Sequence, residues 1–178
     1  PRIWPADPAK NADETIALAK RAHGNDAALA LFPELGLSGY AIDDLLLQDA
    51  LLDGVKAALE KIARETAKLL PTLIVGAPIK VADAVYNCGV VIHRGAILGV
   101  IPKTFLPNYR EFYEKRYFAA AGHALRDTIT LFGKAVPFGA DLVFEASDYA
   151  GYTLAMEICE DVWAPDPPST RLALAGAA

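Results

Sequence analysis

The feature that most constrains this chain is a set of short apolar runs that do not alternate with polar residues. Residues 27–32, 73–79, 85–93 and 96–101 are almost wholly apolar, and each is bounded by Gly, Pro or charged residues. A strand with one wet face reads apolar–polar–apolar, so an unbroken short run predicts a strand covered on both faces. Helical patterns lie between the runs. Asp7-Pro8 supplies an N-cap and a proline at the first helical position, Ile16, Ala19 and His23 recur at helical spacing, and Gly24 reads as the residue just past the helix end. A second helix is predicted over about 48–68, with Leu47, Leu51, Val55, Leu59 and Ile62 as its buried stripe and Lys56, Glu60 and Arg64 on the wet side; Pro71 stops it. Helices interleaved with buried strands place the chain in the α/β class.

Arg94-Gly95 joins two of the runs and predicts a β-hairpin. Residues 102–123 then break the rhythm: Pro102, Pro107, Asn108 and a run of Tyr, Phe, Arg, Lys and Glu make a long polar–aromatic loop, a length that in a compact domain points to function. Strands are predicted near 128–132, 141–145 and 152–158. The last of these ends at Cys159, and the Pro-rich stretch 165–168 leads into a new helix.

Composition narrows the function classes. Of the 178 residues 53% are apolar and 22% charged, enough to bury a core, yet no apolar run approaches the roughly 20 residues of a bilayer span. A net charge of −5 argues against nucleic acid, whose partners present a basic face. Two cysteines cannot build a disulfide framework and no signal peptide is seen, so a cytoplasmic setting is expected. His23, His93 and His123 lie far apart and no Cys or His pair has zinc spacing, so no metal is expected. A phosphate loop and a G-x-G-x-x-G turn are both absent, so this chain is not expected to bind ATP or NAD by those devices. Pro1 at one end, and Ala177 and Ala178 in a helix-like run at the other, read as a chain cut at both ends.

Three segments place an ionisable residue just past a predicted buried strand: Glu34 in Phe-Pro-Glu-Leu, Lys103 in Ile-Pro-Lys-Thr and Cys159 in Glu-Ile-Cys-Glu-Asp. The carboxyl edge of an α/β sheet is where ligands bind, so a carboxylate, an ammonium and a thiol are candidates to converge there. Each has an ordinary alternative: Cys159 as a buried structural cysteine, Glu34 as a surface turn, Lys103 as a solvated lysine. As a set they fit a thiol nucleophile, a general base and an oxyanion donor. Glu157, Glu160 and Asp161 would disfavour a thiolate if they pointed at the sulfur, and Lys103 is the cation that would offset them. Cys88, in Tyr-Asn-Cys-Gly-Val, reads as core, and none of the three histidines sits at a strand edge where it would serve a Cys–His pair.

These motifs resemble the nitrilase, or carbon–nitrogen hydrolase, superfamily, whose signature is a Glu-Lys-Cys triad; Glu34, Lys103 and Cys159 match it in order and spacing. Glu114, in Phe-Tyr-Glu-Lys-Arg-Tyr-Phe, looks like the further glutamate that the family carries after the lysine. Phe-Pro-Glu-Leu-Gly-Leu-Ser-Gly-Tyr, the segment from Lys103 to Phe118, and Glu-Ile-Cys-Glu-Asp-Val-Trp together narrow the likeness, over nearly the whole chain, to the glutaminase domains of glutamine-dependent NAD⁺ synthetases.

The resemblance implies a nitrilase-like four-layer α-β-β-α sandwich, with residues 1–178 a partial domain incomplete at both ends and the ATP-dependent synthetase domain absent. It implies L-glutamine as substrate, Cys159 as nucleophile, Glu34 as base, Lys103 as oxyanion donor, and Tyr109, Glu114, Tyr40 and Glu160 in the substrate pocket. ATP, Mg²⁺ and deamido-NAD⁺ would belong to the missing domain, which would receive the ammonia, and the full-length protein would be a homo-oligomer. Two alternatives stand beside this one: a free-standing nitrilase-type amidase or carbamoylase for another small amide, and an inactive folded piece. Half a sandwich leaves sheet surface uncovered, so the isolated chain is expected to be inactive and prone to associate.

Overall fold

The computed structural model describes residues 1–124 and 126–177. Helix α1 spans Pro8–Gly24, and Asp7 caps it by accepting from the Lys10 backbone N–H. Gly24 is still helical and Asn25 forms the cap, one residue later than the sequence suggests. Strand β1 is Leu29–Leu31, shorter than the predicted run, and its Leu31 is 70% exposed. The expectation that this strand is covered on both faces fails at Leu31, which pairs with Ile74 and so lies on the sheet face away from the helices, where its side chain is left exposed. After a 3₁₀ turn over Asp43–Leu47, helix α2 spans Asp49–Glu65. Leu51, Val55, Leu59 and Ile62 are buried as predicted, whereas Leu47 is exposed because it closes the turn rather than joining the helical stripe.

Strands β2 (Thr72–Val81), β3 (Ala84–His93) and β4 (Ala96–Pro102) complete a four-stranded sheet in the order β1-β2-β3-β4. β1 runs parallel to β2, and the other pairs are antiparallel. The β3–β4 hairpin turns at Arg94 and Gly95, both at positive φ, the conformation that a two-residue turn requires. β1, β2 and β4 therefore point the same way, and the chain segments leaving β1 and β4 emerge at one edge.

The sheet is apolar on both faces. Leu73, Val75, Ala77 and Ile79 of β2, with Tyr86, Cys88, Val90 and Ile92 of β3, pack on one side with α1 and α2. Ile74, Val91 and Ile101 point the other way and meet Leu142, Phe144, Leu154 and Met156. Helix layer, sheet and a further strand layer thus follow in the α-β-β order of a mixed α/β sandwich.

The second half differs from the sequence pattern. Strands β5 (Thr128–Leu131) and β6 (Lys134–Pro137) form a hairpin, and β6 is a strand that the sequence reading misses because only two apolar residues break its charge and proline. β7 (Phe144–Glu145) and β8 (Thr153–Leu154) are two residues each. Residues 155–158, predicted as the end of a strand, have no strand pairing; they lead into a 3₁₀ turn at Cys159–Trp163. Helix α3 is Pro168–Leu174, and Gly176 at φ +98 turns the chain away, so Ala177 is not helical; Ala178 lies outside the described residues.

Candidate active site

Two glycines let the site form. The chain leaving β1 does not continue beside β2 but arches over it: Phe32 N–H donates to the Ile74 carbonyl and Leu37 N–H to the Gly76 carbonyl, with Pro33–Leu35 between them. A Cβ on Gly76 would stand 2.3 Å from the Pro33 carbonyl oxygen and 2.5 Å from the Leu35 nitrogen. Its partner across the ladder is Gly89, where a Cβ would meet the Met156 methyl at 2.2 Å. Bare backbone at this paired position brings the Glu34 arch and the segment before Cys159 down onto the same patch of sheet. Leu35 and Cys159 both adopt positive φ, +50 and +48, a conformation costing non-glycine residues on the order of 1 kcal/mol or more and concentrated at functional sites.

Lys103 is fully buried, and its ammonium donates to Glu34 Oε1 at 2.7 Å and to Glu114 Oε1 at 2.8 Å. Glu114 is 3% exposed and also accepts from the Tyr40 hydroxyl at 2.6 Å. Burial works to lower the Lys103 pKa, but the Glu34 and Glu114 carboxylates outweigh it and hold the ammonium protonated beyond its usual range. Burial pushes the Glu114 carboxyl up, against the hydrogen bonds from Lys103 and Tyr40. Burial, then Glu114, likewise raises the Tyr40 hydroxyl. Four of the predicted residues therefore form one chain: Tyr40–Glu114–Lys103–Glu34.

Cys159 is exposed at the mouth of this chain, not buried, so the reading of it as a structural cysteine fails. Desolvation of the sulfur and the Glu34 carboxylate raise its thiol pKa, and Lys103 pulls it down. Glu34, Asn87 and Cys159 line a common cavity of about 290 Å³ with Phe32, Gly76, Gly89, Met156 and Ile158. Cys88, by contrast, is 1% exposed in the helix-side core, as the sequence suggests.

Tyr109 and Glu160 form a separate pair on the rim. The Tyr109 hydroxyl donates to Glu160 at 2.8 and 3.0 Å, and both residues lie outside the buried chain. Phe112 connects the two groups, meeting Tyr40 edge-on at 6.4 Å and Tyr109 at 6.1 Å between ring centroids. The histidines lie elsewhere: His23 Nδ1 accepts from the Leu70 N–H, His93 Nδ1 is 3.2 Å from Thr72 Oγ1, and His123 ends an exposed turn. Among the described residues no group of three His, Cys, Asp or Glu side chains is placed to hold a metal ion.

Two residues outside the expected site set, Asp161 and Asn87, hold the site together. Asp161, 2% exposed, accepts from the backbone N–H of Thr104 at 3.0 Å, of Phe105 at 2.7 Å and of Ile158 at 3.0 Å. It thereby ties the loop after Lys103 to the residue before Cys159. Asn87 donates from Nδ2 to Glu34 Oε1 at 2.7 Å. A polar residue in the middle of an apolar run was the signal for Asn87; Asp161 stood out only as one of three acidic residues around Cys159.

The sequence matches the carbon–nitrogen hydrolase family over residues 1–178. It is 56% identical over 171 residues to the glutamine-dependent NAD⁺ synthetase of Mycobacterium tuberculosis, covering 96% of this chain and 25% of that protein. The enzyme of the same name from Aquifex aeolicus is 37% identical over 146 residues, 82% of this chain and 22% of that one. The chain thus spans about a quarter of the length of these curated relatives. Among solved structures, a glutamine-dependent NAD⁺ synthetase from Cytophaga hutchinsonii superposes with a TM-score of 0.80 at 26% identity, over 89% of this chain and 26% of that one. An amidase of the nitrilase superfamily from Nesterenkonia shares the fold, with a TM-score of 0.72 at 22% identity, over 98% of this chain and 58% of that one. With the match running from end to end and the Glu34, Lys103 and Cys159 side chains gathered at one edge of the sheet, the chain belongs to the carbon–nitrogen hydrolase family.

Proposed function

We propose that this chain is a glutaminase unit, hydrolysing the side-chain amide of L-glutamine through a thioester on Cys159 and releasing ammonia. The observation that carries the reading is the buried Lys103 ammonium, shared by Glu34 and Glu114, beside an exposed cysteine. Cys159 attacks the amide carbon while Glu34 takes the thiol proton and delivers it to the departing ammonia. Lys103 faces the oxygen that becomes negative; already protonated and fixed by two carboxylates, it needs no rearrangement to receive that charge. Water deprotonated by Glu34 then adds to the thioester, and its collapse returns glutamate and the free thiol. Glu114 holds Lys103 in place, and the rim formed by Tyr40, Tyr109 and Glu160 offers hydroxyl and carboxylate groups to the amino-acid end of glutamine.

The names of the relatives extend the reading. Ammonia made here would amidate deamido-NAD⁺ in an ATP- and Mg²⁺-dependent synthetase domain, which would bind those molecules itself, in a cytoplasmic homo-oligomer.

The test compares the full-length gene product with its Cys159→Ala variant. Wild type should form glutamate from glutamine and the variant none, while the variant should still make NAD⁺ when ammonia replaces glutamine. Equal glutaminase rates would remove Cys159 from the chemistry. Turnover of short aliphatic amides with glutamine inert would assign the chain to stand-alone amidases instead.

A further inference from the structure

Asn87 sits where the base and the oxyanion donor meet, and it touches both. It lies on β3, on the sheet face opposite the helices, with Cys88 beside it paired to Pro102 of β4. Its carbonyl accepts the Lys103 backbone N–H at 2.8 Å, and its side-chain amide donates to Glu34 Oε1 at 2.7 Å. That oxygen is the one Lys103 Nζ also reaches, at 2.7 Å. Two donors thus converge on Oε1, and among the described residues no donor reaches Oε2. A carboxylate held by one oxygen from a single donor can swivel about that contact; held from two directions, its plane is set.

Asn87 is also an expensive residue for stability. It is 1% exposed, and its own amide oxygen, Oδ1, is buried without a hydrogen-bond partner. A buried acceptor left unpaired destabilises a fold, and an apolar side chain of similar shape avoids that loss. Between Val85 and Ile92, β3 is otherwise Val, Ile, Tyr, Cys and Gly, which require no amide here. A side chain that costs stability while making one hydrogen bond, to Glu34, fits the trade between stability and activity seen at functional positions.

We infer that Asn87 is a positioning residue: it fixes the Glu34 carboxylate by Oε1, so that Oε2 is presented to the Cys159 thiol and later to water. This rests on the glutaminase reading above. It adds to Glu34, Lys103, Cys159 and Glu114 a residue that acts through the angle of the base.

The experiment uses the full-length gene product with Asn87→Leu, which fills the space without a donor, and Asn87→Ala in case the larger side chain does not fit. Cys159→Ala runs in the same assay. For the Asn87 variants kcat for glutamine should fall about 10- to 100-fold, the loss expected when a catalytic group is misplaced by a fraction of an ångström to an ångström. KM should stay within about threefold, because Asn87 contacts no part of the substrate pocket rim. The melting temperature of Asn87→Leu should equal or exceed that of wild type. A variant with wild-type kcat, or one whose lost activity simply tracks a lowered melting temperature at unchanged kcat per folded molecule, would overturn the inference. If Cys159→Ala remained active, the glutaminase reading itself would fall; an inactive Cys159→Ala beside a fully active Asn87→Leu would leave that reading standing and remove only the role of Asn87.

Discussion

Gly76→Ala replaces one hydrogen with a methyl group directly beneath the arch that carries Glu34, and the structure assigns it a large effect on turnover. The added Cβ would lie 2.3 Å from the Pro33 carbonyl oxygen, 2.5 Å from the Leu35 nitrogen and 2.9 Å from the Glu34 carbonyl carbon. All three obstacles are backbone atoms of the arch that carries Glu34, so no side-chain rotation relieves them. To reach ordinary van der Waals separation the arch must lift by about 1 Å. Overpacking of this kind costs about 1–3 kcal/mol of stability. A displacement of about 1 Å at a catalytic group costs about 10²-fold in rate, or about 2.7 kcal/mol of barrier. Gly89→Ala is the internal comparison: it occupies the paired position, but its obstacle is the Met156 thioether end, 2.2 Å from methyl carbon and 2.5 Å from sulfur, which can swing aside. Gly122→Ala, with nothing within 4 Å, should change nothing. Steady-state glutaminase kinetics and thermal melts of the three variants measure both quantities. The reasoning is refuted if Gly76→Ala keeps kcat within about twofold of wild type, or if Gly89→Ala is the more damaged of the two.

Other perturbations probe the charges and the clamp. The thiol of Cys159 is raised by desolvation and by Glu34 and lowered by Lys103. A raised thiol holds less thiolate at a given pH, so Glu34→Gln should speed alkylation by iodoacetamide at fixed pH while abolishing glutamine turnover. Lys103→Met should slow the same alkylation; rates that move in the same direction for both variants would contradict this charge assignment. Buried Cys88 should stay unmodified throughout, as peptide mass mapping of the alkylated protein would show. Asp161→Asn keeps the shape but loses acceptor capacity toward three backbone N–H groups, so denaturant melts should show a loss of about 1–3 kcal/mol, together with weaker activity as the Lys103 and Cys159 loops come apart. Unchanged melts for that variant would mean that water satisfies those groups.

Local patterns revealed much of this molecule. The unbroken apolar runs marked β2, β3 and β4, because a strand buried on both faces has no polar positions to alternate. Asp7-Pro8 and the Leu51–Ile62 stripe marked the two helices, since capping and helical spacing are settled within a few residues. The strands of the second half were harder to see. β7 and β8 are two residues each and are held by packing of Phe144 and Leu154 on the sheet, not by any strand-length pattern of their own. β6, with Lys134 and Pro137 at its ends, becomes a strand through its pairing with β5. Leu47 looked like the next residue of a helical stripe and became exposed when the turn before α2 closed early.

The sequence by itself determined the kinds of group available and their order along the chain: a carboxylate after β1, a lysine after β4, a cysteine well beyond, and an acidic composition around them. Residue type and spacing suffice for that, because reactivity belongs to the side chain and motif order belongs to the chain. Only the tertiary structure decided which groups touch. Glu34 and Lys103 are 69 positions apart, and Tyr40 and Glu114 are 74 apart, yet each pair is within 2.7 Å. Those contacts, the two carboxylates that keep buried Lys103 charged, and the use of Gly76, Gly89, Asn87 and Asp161 as supports all follow from how one segment crosses another. The physical reason is that hydrogen bonding and desolvation act over a few ångströms in space, and distance along the sequence carries no record of them.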